Sequence, residues 1–591
     1  MKINLVNENF TSDYVNNLLR ARGVEDLDAY YNPNVKYLQS PLELKNMRLA
    51  AALYTRVVNS NGRILIVVDS DCDGFTSAAI IYQYTKRMNP DCHVDYWLHE
   101  AKQHGLQDHI DRLMEENHEY DLIILPDSSS NDATYHNMLE EVNIPCLILD
   151  HHETDVKLSD NAVVVNNQMS PNYINKDLTG AGVVYQFCRY VDTVIDQNWA
   201  DDYMDLAAWG IVGDMGSMLS NENRYIVYTG LDINHIRNDF LKCLLTKQGY
   251  SITGKSVPSW TEIVEKTNPI SIAFYIVPMV NAMIRVGTME EKDRLFLAFI
   301  DGGRMVPCNK RGAKGTMERV DIESARECSN AKNAQNRTKE KAVEKLEARI
   351  FKYDLLENKI LVLELEEEDD FPAELNGLVA TQLANKYKIP TIVGRLNSEG
   401  KLRGSIRGLN DSELKNFKGF LTDSGLFDYV QGHANAAGYA IDGAKVDALL
   451  NYANRELADI DFGENAYDVN FVRNAWDNDL TALVCDVGGA SGIWGQNTGE
   501  PIICVKGVKV DPSSVRIMGT NSDTVRIDNY GMSFLKFKAA DLIEEIKAHE
   551  GPFTITVVGR ANLNEWCGRV TPQIFIDDYE ITKPNLNTFT F

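Results

Sequence analysis

Ile64-Leu65-Ile66-Val67-Val68-Asp69-Ser70-Asp71-Cys72-Asp73-Gly74 is the stretch on which the reading of this chain turns. The unbroken apolar run predicts a strand buried on both faces, as at the centre of a parallel sheet. It stops abruptly in three aspartates at alternate positions, Asp69, Asp71 and Asp73. Ligands of open α/β sheets bind outside the carboxyl ends of such strands. Three carboxylates gathered there repel one another and lose solvation, so they call for a cation. Mg²⁺ or Mn²⁺ is the natural counter-ion for oxygen donors. Taken alone, the same residues also fit a solvated acidic turn punctuated by Gly74.

Three further segments end the same way. Tyr120 to Asp127 is an apolar run closed by Asp127, and Ile144 to Glu153 runs into Asp150-His151-His152. Trp209-Gly210-Ile211-Val212-Gly213-Asp214 repeats the pattern within a region expected to be helical from Trp199. Four acidic ends and a pair of imidazoles can hold two metal ions, which one acidic turn cannot. Imidazole favours Mn²⁺ or another transition ion over a pure Mg²⁺ site.

Around this nucleus strands and helices alternate from residue 61 to 215, the pattern of a doubly wound parallel sheet. Phe75 to Met88 is expected to be a helix packed on that sheet, and Thr179-Gly180-Ala181-Gly182 opens another. Small residues there suit close packing, the simpler reading, or anion contact at a helix N-terminus. The expected organisation is a helical lead-in (1–60), an α/β domain (61–320), a long connector helix (321–355), a second, smaller α/β domain (356–462) and a β domain (465–591). The last contains short apolar runs with turn residues, including Ala482 to Val487, broken by one helix at Ala539 to His549. That profile fits a small β-barrel such as an OB-fold.

A length of 591 residues sets a prior of three or four domains, and 44% apolar content suits folded structure. No unbroken apolar run reaches membrane-spanning length, so no membrane association is expected. The first residues lack the apolar core of a signal peptide. Ten cysteines are scattered without a C-x-x-C pair, which points to neither a zinc knuckle nor a disulfide framework and suits a reducing cytoplasm. A net charge of −26 argues against a non-specific nucleic-acid coat protein, but not against an enzyme gripping a strand in a local basic groove.

In this order the motifs resemble RecJ-type single-strand-specific exonucleases of the DHH phosphoesterase superfamily. Asp69 to Gly74 resembles the first family motif, Asp127 the second, Asp150-His151-His152 the name-giving triplet and Gly213-Asp214 the fourth. Gly432-His433-Ala434-Asn435-Ala436-Ala437-Gly438 resembles the G-H-x-x-A-x-G signature of the associated DHHA1 domain. Gly559-Arg560-Ala561-Asn562 with Trp566, Gly568 and Gln573 is similar to the end of the RecJ OB domain. The resemblance implies a hydrolase for phosphodiester bonds of single-stranded DNA, working 5′→3′ in repair, recombination or replication with two Mn²⁺ or Mg²⁺ ions. It assigns Asp69, Asp71 and Asp127 to one ion and Asp73, Asp127, His151 and Asp214 to the other, with Asp127 bridging. Asp150 would orient a histidine and His152 would meet the scissile phosphate. Gly432, His433 and Arg407, with Arg403 and His104, are the implied substrate contacts, and Arg560, Arg569 and Trp566 extend the track. The implied protein is a cytoplasmic monomer whose partner is single-stranded DNA, helped by a single-strand-binding protein or helicase.

Two departures stand out. The second motif reads Asp127-Ser128-Ser129-Ser130, without the glycine that usually follows its aspartate, so the loop is expected to differ in shape. Val67 stands where small-substrate relatives, the pyrophosphatases among them, carry a histidine. The alternatives are a DHH phosphodiesterase for short oligoribonucleotides or cyclic dinucleotides, which needs no C-terminal β domain, and an inactive replication scaffold.

Overall fold

The computed structural model describes the chain except residues 116–119, 155–159, 367, 368, 370, 411, 463–465, 520, 521, 567 and 583–591, and the side chains of residues 115 and 566. It divides into two compact units that do not follow chain order: Gly23–Ala334 with Gly492–Gly499, and Met1–Arg22 with Gln335–Ser491 and Glu500–Phe591.

The first unit is built on five strands in the order His93–Leu98, Arg63–Val68, Leu122–Pro126, Cys146–Asp150, Ala162–Asn166. Every ladder is parallel. The Arg63–Val68 strand is buried from Ile64 onward, as a strand covered on both faces must be. The strand order reverses between Arg63–Val68 and Leu122–Pro126. This is the switch point at which a doubly wound sheet leaves a crevice beyond its strand ends. Asp69 and Asp127 each follow one of these two strands. The Ala162–Asn166 strand was not foreseen as an element of its own; it is short and follows a polar stretch that hides its period.

Helices seal the sheet. Cys72–Met88 buries Phe75, Ala78, Ala79, Ile80 and Ile81, and Gly180–Ile195 buries Ala181, Val183, Val184, Phe187 and Val191. Each fully buried large apolar side chain contributes about 1.5–3 kcal/mol. The helical run Pro269–Val286 is long and apolar enough by composition to cross a membrane, but over half of that window is buried inside the protein.

The second unit holds two larger sheets and a two-stranded one. A five-stranded mixed sheet runs Phe427–His433, Ala436–Asp442, Lys401–Arg407, Thr391–Leu396, Leu361–Glu364. A seven-stranded mixed sheet is built from the segments between Phe471 and Thr582. Its ladder is open at Phe471–Asn474 and Arg516–Met518, so among the described residues it does not close into a barrel by strand pairing. The helix Val320–Lys352 runs out of the first unit into the second, 33 residues long.

Two local expectations are corrected. Ala482 to Val487 is not a strand but part of the helix Leu480–Gly489. Leu480, Leu483, Val484 and Val487 recur at helical spacing and are the buried positions, a 3.6 period inside a short apolar run. The N-terminal lead-in begins with a strand, Lys2–Leu5, paired in parallel with Ala466–Val469. A partner more than 450 residues away leaves no local trace in the sequence.

Candidate metal centre

The three aspartates after the first strand are held in three different ways. Asp71 caps the Cys72–Met88 helix: its Oδ1 accepts the Asp73 and Gly74 N–H groups at 2.9 and 3.1 Å. Gly74 is required by space, since a Cβ there would lie 2.5 Å from the Asp69 Cβ. Asp73 is buried inside the first helical turn. Its carboxylate accepts the Gly180 N–H at 2.8 Å, the Ala181 N–H at 3.0 Å and the Thr179 hydroxyl at 3.1 Å. The N-terminus of Gly180–Ile195 therefore does contact an anion, and the anion is the protein's own Asp73. Packing matters too, because a Cβ on Gly180 would fall 2.3 Å from the Asp127 Oδ1. Asp69 is buried, and its Oδ2 pairs with the His104 Nδ1 at 2.7 Å.

The loop after the Leu122–Pro126 strand shows what the missing glycine means. Asp127 and Ser129 both take left-handed backbone, φ 67° and 77°. A non-glycine residue pays on the order of 1 kcal/mol there. Side-chain bonds hold the strained loop in place. The Ser129 hydroxyl donates to Asp132 Oδ2 at 2.7 Å, Leu106 N–H reaches the same oxygen at 3.1 Å, and Ser130 N–H donates to Asp150 Oδ2 at 3.0 Å.

Asp150 is buried and fully engaged. Its Oδ1 accepts the backbone N–H of His151 and His152 at 2.7 and 3.2 Å, and pairs with the His152 Nδ1 at 2.8 Å. The neighbouring Asn166 donates to Ser130 Oγ at 2.9 Å and to the His152 carbonyl at 3.0 Å. His151 points inward, its Nε2 lying 3.2 Å from Asp127 Oδ1 and 3.4 Å from Asp214 Oδ2. Asp214 caps the C-terminal end of the helix Met204–Gly213. The two glycines of that last turn, Gly210 and Gly213, approach Asp73 and Cys72 respectively.

These residues converge. The donor atoms of Asp69, Asp71 and Asp127 lie within 4.8 Å of one another, as do those of Asp73, His151 and Asp214, and those of Asp127, Asp150, His151 and His152. Burial, reinforced by neighbouring carboxylates, pushes Asp73 and Asp214 up to about 7 and Asp127 well above the carboxylate range. Burial also raises Asp69 to about 6, against the opposing effect of His104. His151 is lowered by burial and by the adjacent His152. Burial opposes the charge on His152, but Asp150 outweighs it and holds the imidazole at about 9. Asp69 Oδ1, Asp127 Oδ1 and His151 Nε2 are buried with no hydrogen-bond partner. Orphaned acceptors in an acidic pocket, backed by oriented imidazoles, fit divalent cations.

Two residues here escaped the sequence reading. Asn281 Oδ1 accepts the Cys72 N–H at 3.1 Å. Arg285 feels the charge of Asp71, which opposes the lowering that burial imposes on its guanidinium. Both are polar residues four apart in an otherwise apolar helix, which was the signal available. His104, expected at the substrate, sits against Asp69 with half its side chain exposed.

The remaining candidates belong to the second unit. His433, Ala436 and Arg407 occupy one row across three adjacent strands, so the histidine and the guanidinium share a face of that sheet. Gly432 takes φ 132°, and a Cβ there would meet the Ala436 carbonyl at 2.8 Å. Arg407 donates to its neighbour Ile406 O at 2.7 Å and lies close against Gly377. Arg403 is exposed four residues along the same strand, near Glu399. In the seven-stranded sheet Arg560 is paired with Asp577 at 3.0 Å. Arg569 lines an open cleft of about 750 Å³ with Arg526 and Tyr530. The Trp566 side chain lies outside the described residues.

Comparison with known proteins follows the same division. Residues 63–211 match the DHH family, N-terminal domain, and residues 479–578 match the RecJ OB domain. The chain is 33% identical, over the full length of both proteins, to a Bacillus subtilis protein named as an SPbeta prophage-derived single-strand DNA-specific exonuclease. It is 24% identical to the single-stranded-DNA-specific exonuclease RecJ of Bacillus subtilis, over 92% of this chain and 64% of that one. The crystal structure of RecJ with Mn²⁺ from Thermus thermophilus has the same fold, with a TM-score of 0.70 at 20% identity, covering 96% of this chain and 75% of that one.

Proposed function

We infer the activity from family membership: the chain belongs to the RecJ-type single-strand-specific exonucleases of the DHH family. It is a hydrolase that cuts phosphodiester bonds of single-stranded DNA and depends on divalent metal. The observation that carries the assignment to this pocket is Asp127, whose carboxylate lies within reach of both the Asp69–Asp71 group and His151.

Two ions fit the donor set, one held by Asp69, Asp71 and Asp127 and the other by Asp73, Asp127, His151 and Asp214. When bound they supply Lewis-acid polarisation of the phosphoryl oxygens and a more acidic water. The protein's own residues prepare the place. Asp73 is held in place by the N–H groups of Gly180 and Ala181, which oppose but do not cancel the upward push of burial on its carboxyl group. Asp150 locks the His152 ring and keeps it protonated near neutrality, a cation suited to a phosphodiester oxygen. His104 holds Asp69 and leaves its second oxygen available. In the second unit the row of His433 and Arg407 offers two more phosphate donors. Polarity 5′→3′, a cytoplasmic monomer and loading by a single-strand-binding protein or helicase complete the proposal on resemblance.

The test is digestion of end-labelled single-stranded DNA, duplex DNA, RNA and a dinucleotide with Mn²⁺, with Mg²⁺ and with chelator. Shortening of the single strand from its 5′ end, abolished by chelator, is expected. Preferential hydrolysis of the dinucleotide would favour a small-substrate phosphodiesterase. Turnover of none of the four would mark an inactive scaffold.

A further inference from the structure

The helix that carries Asn281 and Arg285 is less buried along one side. From Ile272 to Val286 it buries Ile272, Ile276, Val277, Met279, Val280, Ala282, Met283 and Ile284. Phe274 and Tyr275 are exposed, Ala273, Pro278, Asn281, Arg285 and Val286 are part-buried, and of these Pro278, Asn281 and Arg285 follow at spacings of three and four. Residues at these spacings share an α-helix face, and Phe274 stands in the turn that leads into it. The lower half of this side is already at the metal centre, since Asn281 accepts the Cys72 N–H and Arg285 lies near Asp71. The upper half is aromatic. Phe274 is 72% exposed and Tyr275 39%.

The backbone is unusual at the same place. Ile272–Ile276 is a π-turn within the helix. Such turns are rare and cluster at functional sites, because the extra residue shifts which side chains face outward. The helix ending in Asp214 packs against this π-turn. Its next residue, Met215, is also exposed, at 63%, with φ 59°. An exposed ring and an exposed thioether thus stand on two packed elements, each leading directly to residues of the metal pocket.

Resting on the activity proposed above, we propose that Phe274 stacks on a nucleobase flanking the scissile phosphate. The occupant follows from continuity. A strand whose phosphodiester lies in the acidic pocket carries its neighbouring bases past this helix face, and Phe274 stands two turns from Asn281, about 10 Å. Every base presents a π-face, so such a platform holds the strand without reading its sequence. A base paired in a duplex does not offer that face.

The experiment uses the full chain with Mn²⁺ and a short 5′-phosphorylated single strand, either intact or with one abasic site stepped through the first nucleotides. Wild type, Phe274→Ala, Phe274→Leu and Phe274→Trp are compared. Loss of one base–aromatic stack is expected to raise KM about tenfold, with kcat changed far less. Leu should behave as Ala, since apolar bulk without a ring does not stack, and Trp should restore the wild-type value. An abasic site at the contacted nucleotide should raise the wild-type KM by the same factor and leave Phe274→Ala unaffected. Quenching of 2-aminopurine at that nucleotide should be lost in Phe274→Ala and kept in Phe274→Trp. Unchanged Tm and Mn²⁺ uptake verify that each variant is folded. The stack is overturned if Phe274→Ala matches wild type on the intact strand, or if both respond equally to the abasic site. If wild type degrades no single strand with Mn²⁺, the parent activity fails and this proposal fails with it.

Discussion

The acidic end of the parallel sheet and the His433–Arg407 row of the mixed sheet handle charge in opposite ways. In the first, Asp69, Asp73, Asp127 and Asp150 are buried, and backbone N–H groups and imidazoles hold oxygens of Asp69, Asp73 and Asp150. In the second, His433 is exposed and Arg407 half-buried, and strand register places them in one row on either side of Ala436. A buried carboxylate cluster is unstable by itself and gains its purpose from a cation. An exposed cation is stable by itself and gains its purpose from an anion that arrives. On the reading proposed above, the first region would perform the chemistry and the second would contact the strand.

The sharpest way to break the contrast is to remove one charge from each side. Asp127→Ala should reduce metal-dependent hydrolysis at least ~10³-fold, because it takes a donor from both proposed ions. Arg407→Ala should instead raise KM about tenfold and largely spare kcat, as loss of one charge-assisted phosphate contact would. Equal effects of the two on kcat would dissolve the distinction.

Asp150 tests whether orientation within the acidic end matters as much as ligation. Asp150→Asn should lower activity roughly 10–100-fold, the usual effect of losing a partner that orients a site histidine. The pH profile gives the cause. With Asp150 present His152 stays protonated to about pH 9. Without it burial prevails, and the alkaline limb of kcat/KM should move down by two units or more. A uniform loss at all pH values would mean the residue only supports the fold.

The smallest effect concerns stability. Asp69, Asp73 and Asp214 have folded-state values of about 6, 7 and 7, above their unfolded values near 4. Their contribution to metal-free stability is therefore fully present below about pH 4 and is lost as pH rises through about 7. A saturating divalent ion at 100 times its Kd should restore about 2.7 kcal/mol. The rise in Tm on adding Mn²⁺ should be large at pH 8 and small at pH 5, where protons already occupy the carboxylates. A pH-independent rise would place the ion elsewhere.

Much of this was legible in the sequence because it is local. Apolar runs ending in Asp69, Asp127 and Asp150 announce buried strands and what stands at their ends. Other features depend on distant partners. The helix at Leu480–Gly489 defeats the strand expectation for Ala482 to Val487 because a six-residue run with five apolar residues and one aspartate does not distinguish a strand from a buried turn of helix. The Lys2–Leu5 strand needs Ala466–Val469. Asn281 and Arg285 matter only because their helix is docked on Cys72 and Asp71.

By itself the sequence determined which residues carry charge, which runs must be buried, and that acidic groups close those runs. Strand formation and chain termini of strands are set by side-chain pattern within a few residues. Only the tertiary structure decided that the N-terminus of the Gly180–Ile195 helix holds Asp73, that His151 faces Asp127 and Asp214, and that Asn281 meets the Cys72 N–H. Those are meetings between segments up to two hundred residues apart, and packing of whole elements, not local preference, brings them together.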